Sequence, residues 1–414
     1  MRFSLGVNYW PSRSAMAMWQ RFDAGEIRED LARIAALGLD TVRFFLRWDD
    51  FQPAADTMDT VMLERLETVV NLAHDAGLRV MPTLFCGHMS GVNWLPAWTL
   101  ERTTPHGRFR TITRDGESPY GIGDFYTGAL LDAQVLFART VGERLRAHPA
   151  IVAWDLGNEF SNLREPTSEF AAAEWSRRLT AALRETSQLP VTAGTHGEDL
   201  TRDRNIRFAS LCAPYAFATM HGYSVYSSFA RNRLDSEVVP FLSLLAQAFS
   251  FKPLLFTEFG NPTCPPNKLS PFERVALPDE PPTPTISPDD PLFATYACLT
   301  EAENAAYCTS VLDRLHADGR LGAYYWCWAD YDSALHDEPP FDRATHETSF
   351  GIIRSDGSEK PVAAALSAFA RKGREVVPAR DMPMISATYY YRTLPTSTKT
   401  LYDAFLGSIE ERRN

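Results

Sequence analysis

The sequence predicts an α/β chain folded as a (β/α)8 TIM barrel with long βα loops and a short C-terminal extension. Three observations lead there. Short apolar, β-rich runs alternate with runs of helical period from one end to the other. Eight such alternations in 414 residues suit a barrel, whose working face is the C-terminal end of its strands. No glycine-rich nucleotide fingerprint follows the first strand, which counts against the runner-up, an open doubly wound sheet.

In chain order, the first strand is "FSLGVNY" (3–9), followed by the helix "EIREDLARIAALG", where Ile27, Leu31 and Ile34 share a face and Gly38 suits the C-terminal cap. "TVRFFL" (41–46) precedes "MLERLETVVNLAHDAG", which Gly77 closes in the same way. "RVMPTLF" (79–85) leads into a connection of about 87–125, too long for a turn, that carries Trp94, Trp98, Phe109, Tyr120 and Phe125. The helix "AQVLFARTVGERLRAH", the strand "IVAWDLG" (151–157) and the helix "FAAAEWSRRLTAALRE" come next. Then come "PVTAG" (190–194), "FATMH" (217–221), the helix "VVPFLSLLAQAF" and "PLLFTEF" (253–259). A second long connection, about 260–300, contains the proline-rich "DEPPTPTISPDDP". The helix "AAYCTSVLDRLHADG", the strand "GAYYWCW" (322–328) and the helix "KPVAAALSAFARKG" complete the barrel. Both long connections follow strands, so they are expected to wall the active face. Residues 1–375 form the expected barrel, and 376–414 an aromatic extension that packs on it or on a partner subunit.

The net charge of −11, from 41 basic and 52 acidic residues, disfavours nucleic acid or an anionic membrane as the main partner and suits a neutral substrate. "FSLGVNYW" follows Met1 almost at once, with no secretory pattern, and no apolar run reaches membrane-spanning length, so the expected compartment is the cytoplasm. The six cysteines show no CxxC spacing and are expected to be structural thiols rather than disulfides or metal ligands.

Chemistry concentrates at the predicted strand ends: Arg43, His88, Asn158, Glu159, His221, Tyr223, Glu258, Trp326 and Trp328. Two carboxylates, Glu159 and Glu258, facing one another across a barrel mouth are what glycosidic cleavage needs: one protonates the leaving oxygen while the other attacks or stabilises the oxocarbenium-like centre. No GxSxG elbow and no HExxH or clustered metal signature competes with them. Asn158 is positioned to hold a sugar hydroxyl beside the bond being broken. Arg43, a guanidinium inside a strand, needs a carboxylate partner, and holding Glu258 ionised is the functional version of that need. In "HGYS", His221 and Tyr223 fall on one side, Tyr223 to donate to Glu258 and His221 to orient the acid or the tyrosine. His88 is an isolated loop histidine, and Trp326 and Trp328 offer an aromatic platform for a pyranose ring.

These residues resemble the retaining glycoside hydrolases of clan A, and within them family 5, over about residues 3–372. The family pattern implies an arginine on strand two, a histidine after strand three, Asn-Glu after strand four, His-x-Tyr after strand six, a glutamate after strand seven and a tryptophan on strand eight. These fall on Arg43, His88, Asn158 with Glu159, His221 with Tyr223, Glu258 and Trp326. The resemblance implies Glu159 as general acid/base, Glu258 as nucleophile, double displacement with retention, and neither a metal nor an organic cofactor. The segments "GVNYWPSRSAMAMWQRFD" and "LGLDTVRFFLRWDDFQP" look most like the exo-acting β-mannosidase branch, which implies short β-linked oligosaccharides as substrates. β-Glucosidase, β-galactosidase, an endo-acting mannanase or glucanase of the same family, and a non-catalytic carbohydrate-binding barrel stay open, as does assembly into a homo-oligomer.

Overall fold

A computed structural model describes residues 1–264, 298–380 and 384–413. Eight parallel strands form the barrel: β1 (Ser4–Tyr9), β2 (Thr41–Arg47), β3 (Arg79–Cys86), β4 (Trp154–Asn158), β5 (Val191–Gly194), β6 (Ala218–His221), β7 (Leu254–Phe259) and β8 (Gly322–Tyr325). The ladder runs β5-β4-β3-β2-β1-β8-β7-β6. The seam between β5 and β6 is joined differently, by threonine hydroxyls: Thr192 Oγ1 donates to the Phe217 carbonyl at 3.1 Å and Thr195 Oγ1 to the Thr219 carbonyl at 2.6 Å. A bridge between His196 and His221 completes the seam at its upper end. The expected barrel is therefore the observed one.

Around it lie α1 (Ala24–Ala36), α2 (Thr60–Asp75), α3 (Gly128–Arg144), α4 (Glu169–Arg184), the single turn α5 (Phe208–Leu211), α6 (Val238–Ser250), α7 (Glu301–Ala317) and α8 (Pro361–Arg371). Side-chain caps set several starts: Asp23 accepts from the backbone of Gly25 and Glu26, and Thr300 with Glu303 forms a full capping box. The interior is divided along the barrel axis. Met81, Ala153, Leu255 and Tyr324 form a separate apolar cluster inside the barrel, while Arg43, Asp155 and Glu258 are buried together where the strands end. A charged layer of this kind is stable only if every member is paired, and it marks the working face.

The long connection after β3 builds its own small sheets, from His88–Met89, Val92–Trp94, Arg110–Thr113 and Gly116–Ser118, and from Leu100–Pro105 with Tyr120–Ile122. Its aromatic residues divide. Phe109 stacks near His88, with ring centroids 4.5 Å apart, whereas Trp98 and Phe125 pack on Trp48 in the core. Most of the second long connection lies outside the described residues. The C-terminal residues fold back as α9 (Ala387–Arg392) and α10 (Thr396–Arg413). Tyr402 is fully buried against Phe229 and Phe241 and donates to Asp235 at 2.7 Å, and Tyr390 donates to the Leu200 carbonyl at 3.0 Å. Within the chain, then, the extension packs on the barrel.

The cysteine expectation needs correction. Cys264 and Cys298 form a disulfide with Cα atoms 4.9 Å apart, while Cys86, Cys212, Cys308 and Cys327 are buried free thiols. The pair is 34 residues apart in sequence. Only the pairing of Thr263 with Leu299, two hydrogen-bonded segments beyond β7, brings it together. None of the described helices is long and apolar enough to cross a membrane.

Candidate active site

Glu258 sits near the end of β7 with both carboxylate oxygens occupied. Arg43 Nη1 donates to Oε1 at 2.5 Å and Tyr223 OH donates to Oε2 at 2.7 Å. Arg43, fully buried on β2, is itself aimed by four acceptors from three strands. Its Nε donates to Asp155 Oδ2 at 2.9 Å, Nη1 also to Asn8 Oδ1 at 3.0 Å, and Nη2 to Asn158 Oδ1 at 2.8 Å. Gly194 leaves room for it: a Cβ there would lie 3.1 Å from Nη2 and 2.6 Å from the Gly157 carbonyl. Burial raises the Glu258 carboxyl above its ordinary value, and Arg43 and Tyr223 oppose that rise by favouring the charged form.

Glu159 is built differently. It follows β4 in the left-handed region, at φ 44° and ψ 42°, which turns its side chain out of the ladder while its N–H still donates to the Gly194 carbonyl at 2.9 Å. Non-glycine residues seldom adopt this conformation, and when they do it commonly marks a functional position. Asn162 Nδ2 donates to Glu159 Oε2 at 3.0 Å. Three imidazoles surround the same carboxyl: His221 Nδ1 lies 3.2 Å from Oε1, and His88 Nε2 and His196 Nδ1 each lie 3.9 Å from Oε2.

Burial lowers the pKa of all three histidines, that of His88 to about 3. Neutral imidazoles have definite tautomers, and the hydrogen bonds assign those of His88 and His221. His88 Nδ1–H donates to Asn93 Oδ1 at 2.7 Å, leaving Nε2 as a lone pair towards Glu159. Ser161 donates to Asp199 at 2.5 Å and accepts from Arg204 Nη1 at 2.9 Å, and His196 Nε2 lies 3.0 Å from the Ser161 hydroxyl and 3.1 Å from Arg204 Nη1. Among the described residues His221 Nε2 is buried without a partner, which puts the proton on Nδ1, between Glu159 and Glu258 Oε1, the latter 3.5 Å away. With no cation among the described residues in contact with it, Glu159 has its pKa raised well above the ordinary range, by burial first and by the charge of Glu258 second.

The structure thus brings together Arg43, His88, Asn158, Glu159, His221, Tyr223 and Glu258. Trp326 joins them, edge-on to Phe45 at 5.9 Å between ring centroids. Trp328 does not. The ladder of β8 ends at Tyr325, so the two-residue alternation expected over 326–328 no longer applies. Trp328 instead faces α1, where the Arg33 guanidinium lies 5.6 Å from its ring. Sequence reasoning missed Asn8, Asp155, His196 and Glu347, polar residues whose partners are distant in the chain, and Asn162, whose partner Glu159 is three residues away. The strand run "AWDLG" held a readable signal in Asp155, a carboxylate inside an apolar strand.

Among the described residues, Glu159, His221 and Glu258 are the group whose ligand-type atoms all lie within 4.8 Å of one another. Its donor set suits proton chemistry better than a cation, because Glu258 already accepts from Arg43 and Tyr223 and Glu159 favours its protonated form. A separate cavity of about 350 Å³, lined by Met16, Arg47, Trp94, Arg110 and Asp342 among others, includes neither glutamate. Its arginines are engaged, Arg110 with Asp342 and Arg47 with Asp49, so it offers no comparable acid and base.

No protein-family model and no curated protein matches the chain. Solved structures do. GH5_18 from Streptomyces cattleya, solved with GlcNAc, matches at 23% identity over 92% of this chain and 83% of that one, with a TM-score of 0.72. The exo-β-1,4-mannosidase Op5Man5 from Opitutaceae bacterium strain TAV5 matches at 26% identity and TM-score 0.69, over 90% of this chain but 60% of that enzyme's length. A GH5_18 variant from Bifidobacterium longum subsp. longum ATCC 55813, solved with Manβ1-4GlcNAc, matches at 20% identity over 91% of this chain and 80% of that one, with a TM-score of 0.70. The chain shares its barrel fold with these GH5_18 and exo-β-1,4-mannosidase structures, the fold expected from its sequence.

Proposed function

We propose that the chain is a retaining exo-β-glycosidase that removes the non-reducing-end sugar of short β-linked oligosaccharides, with β-mannosides preferred. The observation that carries this is the approach of the two carboxyl groups, with oxygens within 4.8 Å; burial and the charge of Glu258 favour the protonated form of Glu159. Retaining enzymes hold the pair about 5–5.5 Å apart, whereas inverting enzymes leave about 6.5–9.5 Å for a water. The preference for β-mannosides is supported by the neighbours solved as an exo-β-1,4-mannosidase and with Manβ1-4GlcNAc.

In the first step Glu258, held ionised by Arg43 and Tyr223, attacks the anomeric carbon while Glu159 gives its proton to the leaving oxygen. Forming the ester neutralises Glu258. That removes one of the charges that raise the Glu159 pKa, so Glu159 becomes a better proton donor as the bond breaks and stays ionised long enough to activate water. His221 Nδ1–H, between the two carboxyls, bonds to whichever carries charge. For the compartment, the buried Cys264–Cys298 disulfide favours an oxidising environment over the cytoplasm expected from sequence.

The test is hydrolysis of p-nitrophenyl β-mannoside, β-glucoside, β-galactoside and β-xyloside by the pure protein, with Glu258→Ala as control. Mannoside-preferring turnover, lost in the variant, supports the reading. Binding of these sugars without any turnover would favour the non-catalytic barrel instead.

A further inference from the structure

A third carboxyl group enters the same mouth. Glu347 lies on the turn Thr345–Ser349 that follows β8, is 7% exposed, and was not singled out by its sequence context. Ser90, from the connection after β3, donates to its Oε2 at 3.0 Å, and Tyr226, beyond β6, donates to its Oε1 at 2.8 Å. The Trp326 indole is near enough to favour the charged form of the same carboxyl. The Tyr226 ring meets Tyr223 with centroids 5.5 Å apart, and Tyr223 donates to Glu258. Glu347 and Glu258 are thus linked through two tyrosines whose rings touch, and the charge of Glu258 is felt at Glu347.

Burial pushes the Glu347 carboxyl up to about 7, while the bonds from Tyr226 and Ser90 oppose the rise and the charge of Glu258 adds to it. Joining loops does not require such a group, since a neutral acceptor would do so without the desolvation cost of a charge. A carboxylate has about four acceptor positions; Ser90 and Tyr226 occupy two of them, and His346 Nε2 lies 3.5 Å from Oε1. The loops after β3 and β8 also meet through Arg110 with Asp342 and Arg343 with Glu117, so this side of the mouth is closed.

We infer that Glu347 is a specificity-determining residue that accepts a hydrogen bond from a ring hydroxyl of the sugar held beside Glu258, and that with Trp326 it forms the end wall of a one-sugar pocket. The inference rests on the glycosidase reading. It is tested by kinetics of the full chain, Glu347→Ala and Glu347→Gln, on p-nitrophenyl β-mannoside and its 3-, 4- and 6-deoxy analogues. The unaltered protein should lose about 10- to 100-fold in kcat/KM on one analogue, the range expected for a hydrogen bond to a charged group. In Glu347→Ala the parent glycoside should fall to the level of that analogue, so that discrimination at that hydroxyl disappears.

Variants that keep full discrimination across the deoxy series would overturn the inference. If the alanine variant does not fold, judged by circular dichroism, Glu347→Gln, which keeps the volume and one acceptor, decides by the same criterion. An unaltered protein that hydrolyses none of the series overturns the glycosidase reading instead. Calorimetric titration with methyl β-mannoside and its deoxy analogues then decides for Glu347: equal binding by the unaltered protein and Glu347→Gln, or no binding by either, overturns it.

Discussion

Glu159 and Glu258 both follow apolar strands, "IVAWDLG" and "KPLLFT", yet the two ends of the site give them opposite surroundings. At β7 the carboxylate meets a buried guanidinium and a phenol, both donors. At β4 it meets three neutral imidazoles, of which His88 faces it with a lone pair, and a single amide donor. Both carboxyls feel burial, which raises their pKa, but Arg43 opposes the rise by direct contact at Glu258 and only weakly, as the last of several influences, at Glu159. The difference teaches that the proton is allocated by the neighbours, and that an acid and a base are made from the same residue type without any change in the strands that carry them.

The comparison breaks most completely at Glu258. Glu258→Ala should reduce kcat on aryl β-glycosides by about 10⁴-fold or more, as loss of a nucleophile does, while circular dichroism shows the fold retained. A variant with near-normal turnover would remove the asymmetry altogether. Glu159→Gln should cost about 10²–10⁴-fold, the usual range for general acid–base catalysis, and more on alkyl than on nitrophenyl leaving groups.

The pH profile sharpens the same point. Because Glu159 must be protonated and its pKa is raised, kcat/KM should fall as pH rises through that value, and Glu159→Gln should abolish this basic limb. Because Glu258 must be ionised, the acid limb should persist in Glu159→Gln. A basic limb that survives the substitution would assign the proton elsewhere.

Arg43→Met leaves Asp155 and Glu258 buried without their cation. Breaking such a pair costs about 3–5 kcal/mol, read from the denaturant midpoint. An unchanged midpoint would mean that Arg43 does not hold the carboxylates ionised. The smallest expected effect is far from the chemistry: reducing Cys264–Cys298, or replacing both with serine, should lower stability by about 2–4 kcal/mol. The difference in unfolding midpoint with and without dithiothreitol measures it.

The eight strands were legible because parallel strands covered by helices on one side and filled on the other read as continuous apolar runs, and all eight runs became strands. Their ends were less legible. The run "GAYYWCW" continues in apolar residues past Tyr325 although its ladder stops there, which is why Trp328 was placed on the wrong side. The disulfide was not legible, and of the surroundings of Glu159 only His221 was placed beside it, because Cys264 and Cys298, or Glu159 and His88, are neighbours only once the barrel closes.

By itself, the sequence determined the order of strands and helices and the residue types delivered to the strand ends, because periodicity and burial act locally along the chain. The tertiary structure decided which carboxyl carries the proton, which tryptophan reaches the mouth and which cysteines pair. The physical reason is that each depends on a distance between residues far apart in sequence. A cation 2.5 Å from Glu258, and none among the described residues in contact with Glu159, is a property of the closed barrel and not of either strand.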